Sequence, residues 1–168
     1  MIKIQIYQSD SQFNEYAEVQ EGGPTDPALP GLDVNLLERA ARETLEQAGA
    51  ASNAEITLVV TGEAQIREFN RQYLGVDAPT DVLAFSNGEI DPDSGEVYLG
   101  DVILCYPRAQ AQARAGGHAI EAELQLLVVH GVLHLLGHDH AEQEQKSRMW
   151  AAQAEILKRL GCEIQMPA

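Results

Sequence analysis

Apolar and polar residues alternate from Ile2 to Tyr7, with Ile2, Ile4 and Ile6 against Lys3 and Gln5, which predicts a half-buried strand. The alternation lapses from about Ser9 to Pro30, a polar stretch with Gly22-Gly23-Pro24 that reads as a long surface loop. Asp33 is a good N-cap for a helix in which Leu36, Leu37, Ala40, Ala41 and Leu45 recur at helical spacing up to Gly49. Ile56 to Val60, rich in β-branched residues, predicts a second strand. Thr61 is placed to cap a helix that carries Ile66, Phe69, Asn70 and Tyr73 and closes at Gly75. A third strand is expected over Val82 to Phe85. Asn87-Gly88 and Asp93-Ser94-Gly95 are turn signals bounding a loop or hairpin. Val97 to Leu104 reads as the fourth strand, interrupted by Gly100-Asp101.

Three further helices follow, over about 108–115, 120–136 and 142–160, the last stopped by Gly161. The middle one runs nearly unbroken through Leu124, Leu126, Leu127, Val128, Val129, Val132, Leu133, Leu135 and Leu136, so it is expected to be buried on most sides. Four strands and five helices in a non-repeating order predict one α+β domain over residues 1–168. Its small mixed four-stranded sheet would be packed with about five helices around that buried central one.

Composition narrows the picture in two respects. No apolar run approaches the roughly 20 residues that span a bilayer, and the N-terminus lacks a signal-peptide pattern. Cys105 and Cys162 lie far apart with no C-x-x-C spacing, so a reduced, cytoplasmic setting is the simplest expectation. The net charge of −15 argues against nucleic-acid binding through the overall field. Any such contact has to come from a local cluster among eleven Lys and Arg residues.

The chemistry concentrates at the end of the central helix, where His130-Gly131-Val132-Leu133-His134-Leu135-Leu136-Gly137-His138-Asp139-His140 holds four of the five histidines. His130 and His134 share a helix face. Gly137 is placed to end the helix in the left-handed conformation, so that His140 meets them from a loop. Three neutral imidazoles suit zinc before iron, nickel or copper, with a fourth position open to water as in catalytic sites. We expect one zinc ion per chain, held by His130, His134 and His140. His138 is expected to point elsewhere. Asp139 is either an orienting group behind a ligand or a turn residue.

The spacing is that of the metzincin peptidases, H-E-x-x-H-x-x-G-x-x-H, with Gly131 where the general-base glutamate stands. Without that carboxylate peptide hydrolysis lacks its proton carrier, whereas phosphodiester cleavage gains most from charge stabilisation and positioning. Gly131 either leaves room for a bulky substrate or permits close helix packing.

The eleven-residue stretch closely resembles the H-G-x-L-H-L-x-G-[YH]-D-H signature of the YbeY family, bacterial zinc-dependent endoribonucleases of rRNA maturation. Pro79-Thr80-Asp81-Val82-Leu83-Ala84-Phe85 resembles that family's P-T-D-V-L-S-F block with alanine for serine, and Leu99-Gly100-Asp101-Val102-Ile103 its L-G-D-I-x segment. Glu123 stands where the family tends to carry a glutamate, near two helical turns before His130 and too far for a direct ligand.

The resemblance implies the three histidines as zinc ligands and single-stranded RNA as substrate, notably the 3′ end of the small-subunit (16S) rRNA precursor. It also implies ribosome quality control, with the ribosomal small subunit and assembly factors as partners. Many members carry an arginine just before the Gly-x-Asp that precedes P-T-D, where this chain has Leu74. Arg71 and Arg67 lie on one helix face nearby and are the candidate cations, Arg71 catalytic and Arg67 substrate-binding. An ion pair between Arg67 and Glu63 on a solvated face is the plainer expectation for Arg67, while Arg71 has no acidic residue four positions earlier. Two other readings stand beside the nuclease: a metzincin-like metallopeptidase, and a ribosome-assembly factor whose metal is mainly structural.

Overall fold

The computed structural model describes residues 2–6, 17–18 and 29–164. In chain order the elements are β1 (Ile2–Ile6), β2 (Ala17–Glu18), α1 (Val34–Gln47), β3 (Ala54–Thr61), α2 (Glu63–Leu74), β4 (Val82–Ile90), β5 (Val97–Cys105), α3 (Tyr106–Gly116), α4 (Ile120–Leu135) and α5 (Gln143–Arg159). Together they form an α+β domain with five helices. The four expected strands are present, and the two-residue β2 adds a short fifth at the edge, giving the order β2-β1-β3-β5-β4. β1, β3 and β5 run parallel, while β4 and β2 are antiparallel to β5 and β1. Tyr7 and most of the expected loop over 9–30 lie outside the described residues.

Alternation along β3 and β5 divides the interior into two. Ile56, Leu58, Val60, Val102 and Leu104 face the large core that contains α1, α4 and α5. Val59, Ile103 and Cys105 face the opposite side, where Leu83 and Ile66 of α2 complete a smaller cluster. This is the period of two that puts successive side chains of a strand on opposite faces. Helix α4 crosses the large face, with Leu124, Val128, Val129, Val132 and Leu133 at most 1% exposed. Burial on that scale contributes roughly 1.5–3 kcal/mol per large aliphatic side chain, which fixes the helix firmly against the sheet.

Several local expectations need correction. Asp33 does cap α1, its carboxylate accepting from the Asn35 amide at 2.9 Å. Thr61 does not cap α2: it is the last residue of β3, and Gly62 holds the cap position without a side-chain bond. Pairing of Thr61 with Cys105 across the ladder keeps its backbone in the sheet. Nor does Asn87-Gly88 end a strand. It sits in a register shift between Ser86 and Glu89, and β4 continues to Ile90 before the turn over 91–96. Gly100-Asp101 does not interrupt β5. Gly100 has φ +136°, and a Cβ there would stand 2.0 Å from the Phe85 carbonyl oxygen, so glycine lets the hairpin strands close at the irregularity.

Candidate metal centre

Helix α4 ends where its histidine-bearing turn meets the mouth of the β4–β5 hairpin. Gly137, at φ +93°, donates to the His134 carbonyl, and the His138 amide reaches back to the Leu133 carbonyl at 3.0 Å. This paired closure of the last turn, with a left-handed glycine, reverses the chain and carries His140 back over the helix end. His130, His134 and His140 each offer a ring nitrogen, and these atoms lie within 4.8 Å of one another. His138 lines the same cleft but is outside the cluster. Asp139 accepts from the His140 amide at 2.7 Å, which makes it a turn residue of the loop that carries His140.

The donor set fits a metal. Nδ1 of His130 lies 2.5 Å from Oε1 of Gln153, an amide oxygen that can only accept. The proton therefore sits on Nδ1, and the Nε2 lone pair faces the other histidines. Nε2 of His134 is 3.1 Å from Nε2 of His130, near the roughly 3.3 Å edge of a tetrahedron built on zinc–imidazole bonds. Burial, before any other cause, pushes both imidazoles below the ordinary histidine pKa, and their mutual proximity to His140 adds to it. Both rings are thus held in the neutral, ligand-competent form.

Gly131 is buried, and a Cβ there would meet Cγ1 of Val102 at 2.5 Å and Cγ2 of Val82 at 3.3 Å. Close packing requires the glycine, and the same residue lines the cleft beside the histidines, so both expectations hold. A side chain at this position requires the Val102 side chain to shift, so a glutamate here would disturb the packed wall.

The cleft beside the cluster has a volume of about 570 Å³ and is walled on its other side by Thr80, Asp81, Ala84 and Ser86. Asp81 is a residue whose part in the site the sequence did not disclose. Its carboxylate accepts from the Val82 amide at 2.8 Å and from Gln112 Nε2 at 3.3 Å, and its charge acts on His130. Gln153 and Trp150 were also missed. They come from α5, with the Trp150 ring centroid 5.9 Å from those of both His130 and His140. Nothing in their spacing from the histidines marks them; only the packing of α5 on α4 does.

The arginines stand elsewhere. Helix α2 packs through Ile66 and Phe69 on the face of the sheet opposite α4, and neither Arg67 nor Arg71 lines the cleft. Arg71 is paired with Glu68, three residues earlier, and Arg67 with Asp77 at 2.8 Å. The expected pair of Arg67 with Glu63 is not formed; Glu63 lies 3.7 Å from Arg108 instead. Glu123 is 4% exposed and meets Nε2 of His118 at 2.5 Å, which ties the start of α4 to the end of α3. No helix among the described residues is long and apolar enough to cross a membrane.

Comparison with known proteins agrees with this geometry. The family model described as endoribonuclease YbeY matches residues 32–161. An endoribonuclease YbeY of Pelotomaculum thermopropionicum is 46% identical over 138 residues, covering 80% of this chain and 88% of the relative. That of Heliobacterium modesticaldum is 42% identical over 155 residues, covering 86% and 93%. A solution structure of a Thermotoga maritima protein superposes with a TM-score of 0.57 at 25% identity, covering 95% of this chain and 89% of the other. The matched span holds the histidine turn, the Gly131 contact and the hairpin that walls the cleft, and the chain belongs to the endoribonuclease YbeY family.

Proposed function

We propose that this protein is a zinc-dependent, single-strand-specific endoribonuclease that matures the 3′ end of the small-subunit (16S) rRNA and acts in ribosome quality control. The observation that carries the proposal is the convergence of three imidazole nitrogens, all within 4.8 Å of one another, at an open cleft where a packed glycine follows the first histidine. His130, His134 and His140 would hold one zinc ion per chain, which when bound supplies Lewis acidity toward a phosphoryl oxygen and a water of lowered pKa. The chain's own part is to orient. Gln153 fixes the His130 tautomer, and the Gly137 turn delivers His140. Asp81, Ala84 and Ser86 set the opposite wall, where an RNA strand enters against the β4 edge.

Arg71 and Arg67, on the other side of the sheet, serve in this reading as cations for the RNA strand outside the reacting centre. The proposed setting is the cytoplasm, with the ribosomal small subunit and its assembly factors as partners. The metallopeptidase alternative lacks the glutamate that follows the first histidine and carries the proton, and the open cleft beside the histidines favours a reacting site over a closed structural one.

The test is cleavage of a short single-stranded 16S 3′-end RNA, and of the same RNA annealed to its complement, by wild type and His134→Ala. We expect the single strand alone to be cut, and only by wild type. Zinc-loaded protein that cuts neither RNA would overturn the proposal.

A further inference from the structure

A second cavity opens behind the histidine cluster. It has a volume of about 330 Å³ and lies between α3, α4 and α5. It shares Asp81 and His130 with the open cleft, so the two spaces flank the same ligand from opposite sides. Trp150 forms part of its wall, and Gln112, His118 and Glu123 supply polar atoms. A space of this size, bounded by an aromatic ring and a few convergent polar groups, is the form of a small-molecule subsite.

We propose that this cavity receives the base of the nucleotide next to the scissile phosphodiester. The inference rests on the nuclease reading above and deepens it. A phosphate held at the histidines leaves one neighbouring nucleoside in the open cleft and needs a place for the other. The cavity that shares His130 and Asp81 is that place. Only an unstacked base can enter it, which ties single-strand specificity to the shape of the site. Trp150 offers the ring against which the base packs.

The edge chemistry points further. Glu123 uses Oε2 on His118, and Gln112 uses its Nε2 on Asp81. Each keeps one acceptor oxygen, Glu123 Oε1 and Gln112 Oε1, and a pair of acceptors is best matched by the two hydrogens of an exocyclic amino group, where uracil offers only its single N3–H.

The experiment is an anisotropy binding scan with short single-stranded RNAs in which methylene groups replace both bridging oxygens of the cleaved linkage, so that neither water nor the 2′-OH can cut them. Adenine, uracil or no base is placed at each position beside the scissile phosphate. Wild type, Trp150→Leu and Gln112→Ala are compared at equal zinc content and after confirming unchanged thermal unfolding. At one position we expect loss of the base to weaken wild-type binding roughly tenfold, with uracil between adenine and the abasic RNA. Trp150→Leu should bind all three alike, and the exposed Gln112→Ala should narrow the gap between adenine and uracil. A flat scan in wild type, or a penalty that persists in both variants, would overturn the cavity assignment. Uracil binding as tightly as adenine would overturn the amino-group selection. Cleavage of unmodified RNA by wild type is followed in parallel. RNA cut normally with a flat scan sinks the cavity alone, whereas RNA neither cut nor bound sinks the nuclease reading with it.

Discussion

The two faces of the sheet carry different kinds of residue, and in the proposed reading that difference divides the work of the molecule. On the α4 face the interior is large, and the helix that carries His130 and His134 is buried along most of its length. On the α2 face the interior is a small cluster, and the polar side of α2 is solvated. Arg67 and Arg71 there are more than half exposed, and Tyr73 and Leu74 stand 60% and 57% exposed. Metal ligands need fixed geometry, which dense packing provides. Contacts to a polyanion need reach and tolerance, which exposed side chains provide. Substitutions on the α4 face should therefore alter stability and metal affinity, and those on the α2 face should alter RNA affinity with the fold intact.

The largest effect is expected at Gly131. Gly131→Ala should destabilise by about 1–3 kcal/mol in urea unfolding, because its Cβ meets Val102 in a packed wall. Gly131→Glu should be worse and should bring no peptide hydrolysis. A stable Gly131→Glu protein that cleaves casein would reverse the argument from packing.

Next comes Gln153→Ala. Removing the oxygen that sets the His130 tautomer should weaken zinc binding by roughly 10- to 100-fold, read by competition with a chromogenic chelator. Unchanged affinity would show that the ring is held by other means.

Arg71→Ala tests the other face. The ion pair with Glu68 is solvent-exposed, so the melting temperature should not move. RNA binding should weaken, the slope of log affinity against log salt should fall by about one, and the rate at saturating RNA should stay the same. A lost rate at saturation would return Arg71 to the reacting centre.

The smallest effect concerns Tyr98, whose hydroxyl bonds Thr57 and Asp101 at 2.8 and 2.5 Å. Burial first, and the bond to Asp101 second, push its pKa up to about 12. The folded state favours the neutral phenol, so this contribution is intact below the ordinary tyrosine value near 10 and is lost as pH rises through the folded value. Wild type should lose stability between those limits, and Tyr98→Phe should lose less over the same span.

What the sequence disclosed was whatever repeats locally or sits at a fixed spacing. The buried run of α4, the histidines at one, five and eleven, and the glycine stop at Gly137 are all local properties of one helix and its end, and all reappear in the structure. What stayed hidden depends on contacts between distant segments. Asp81 reaches the site because β4 pairs antiparallel with β5, and Gln153 because α5 packs on α4. Arg67 chose Asp77 over Glu63 because the chain folds back after Gly75, a geometry that helical spacing does not contain. Gly131 held two readings in the sequence, and only the positions of Val102 and of the cleft show that both apply.

The central claim is that three imidazoles converge to hold one metal ion, and zinc K-edge absorption on the purified protein tests it most directly. Measured together with metal content in wild type and His130→Ala, it should show about one zinc per wild-type chain with a shell of three imidazole nitrogens and a light oxygen donor, and little zinc in the variant. A wild-type protein without bound metal, or a zinc shell containing sulfur from Cys105 or Cys162, would contradict the account.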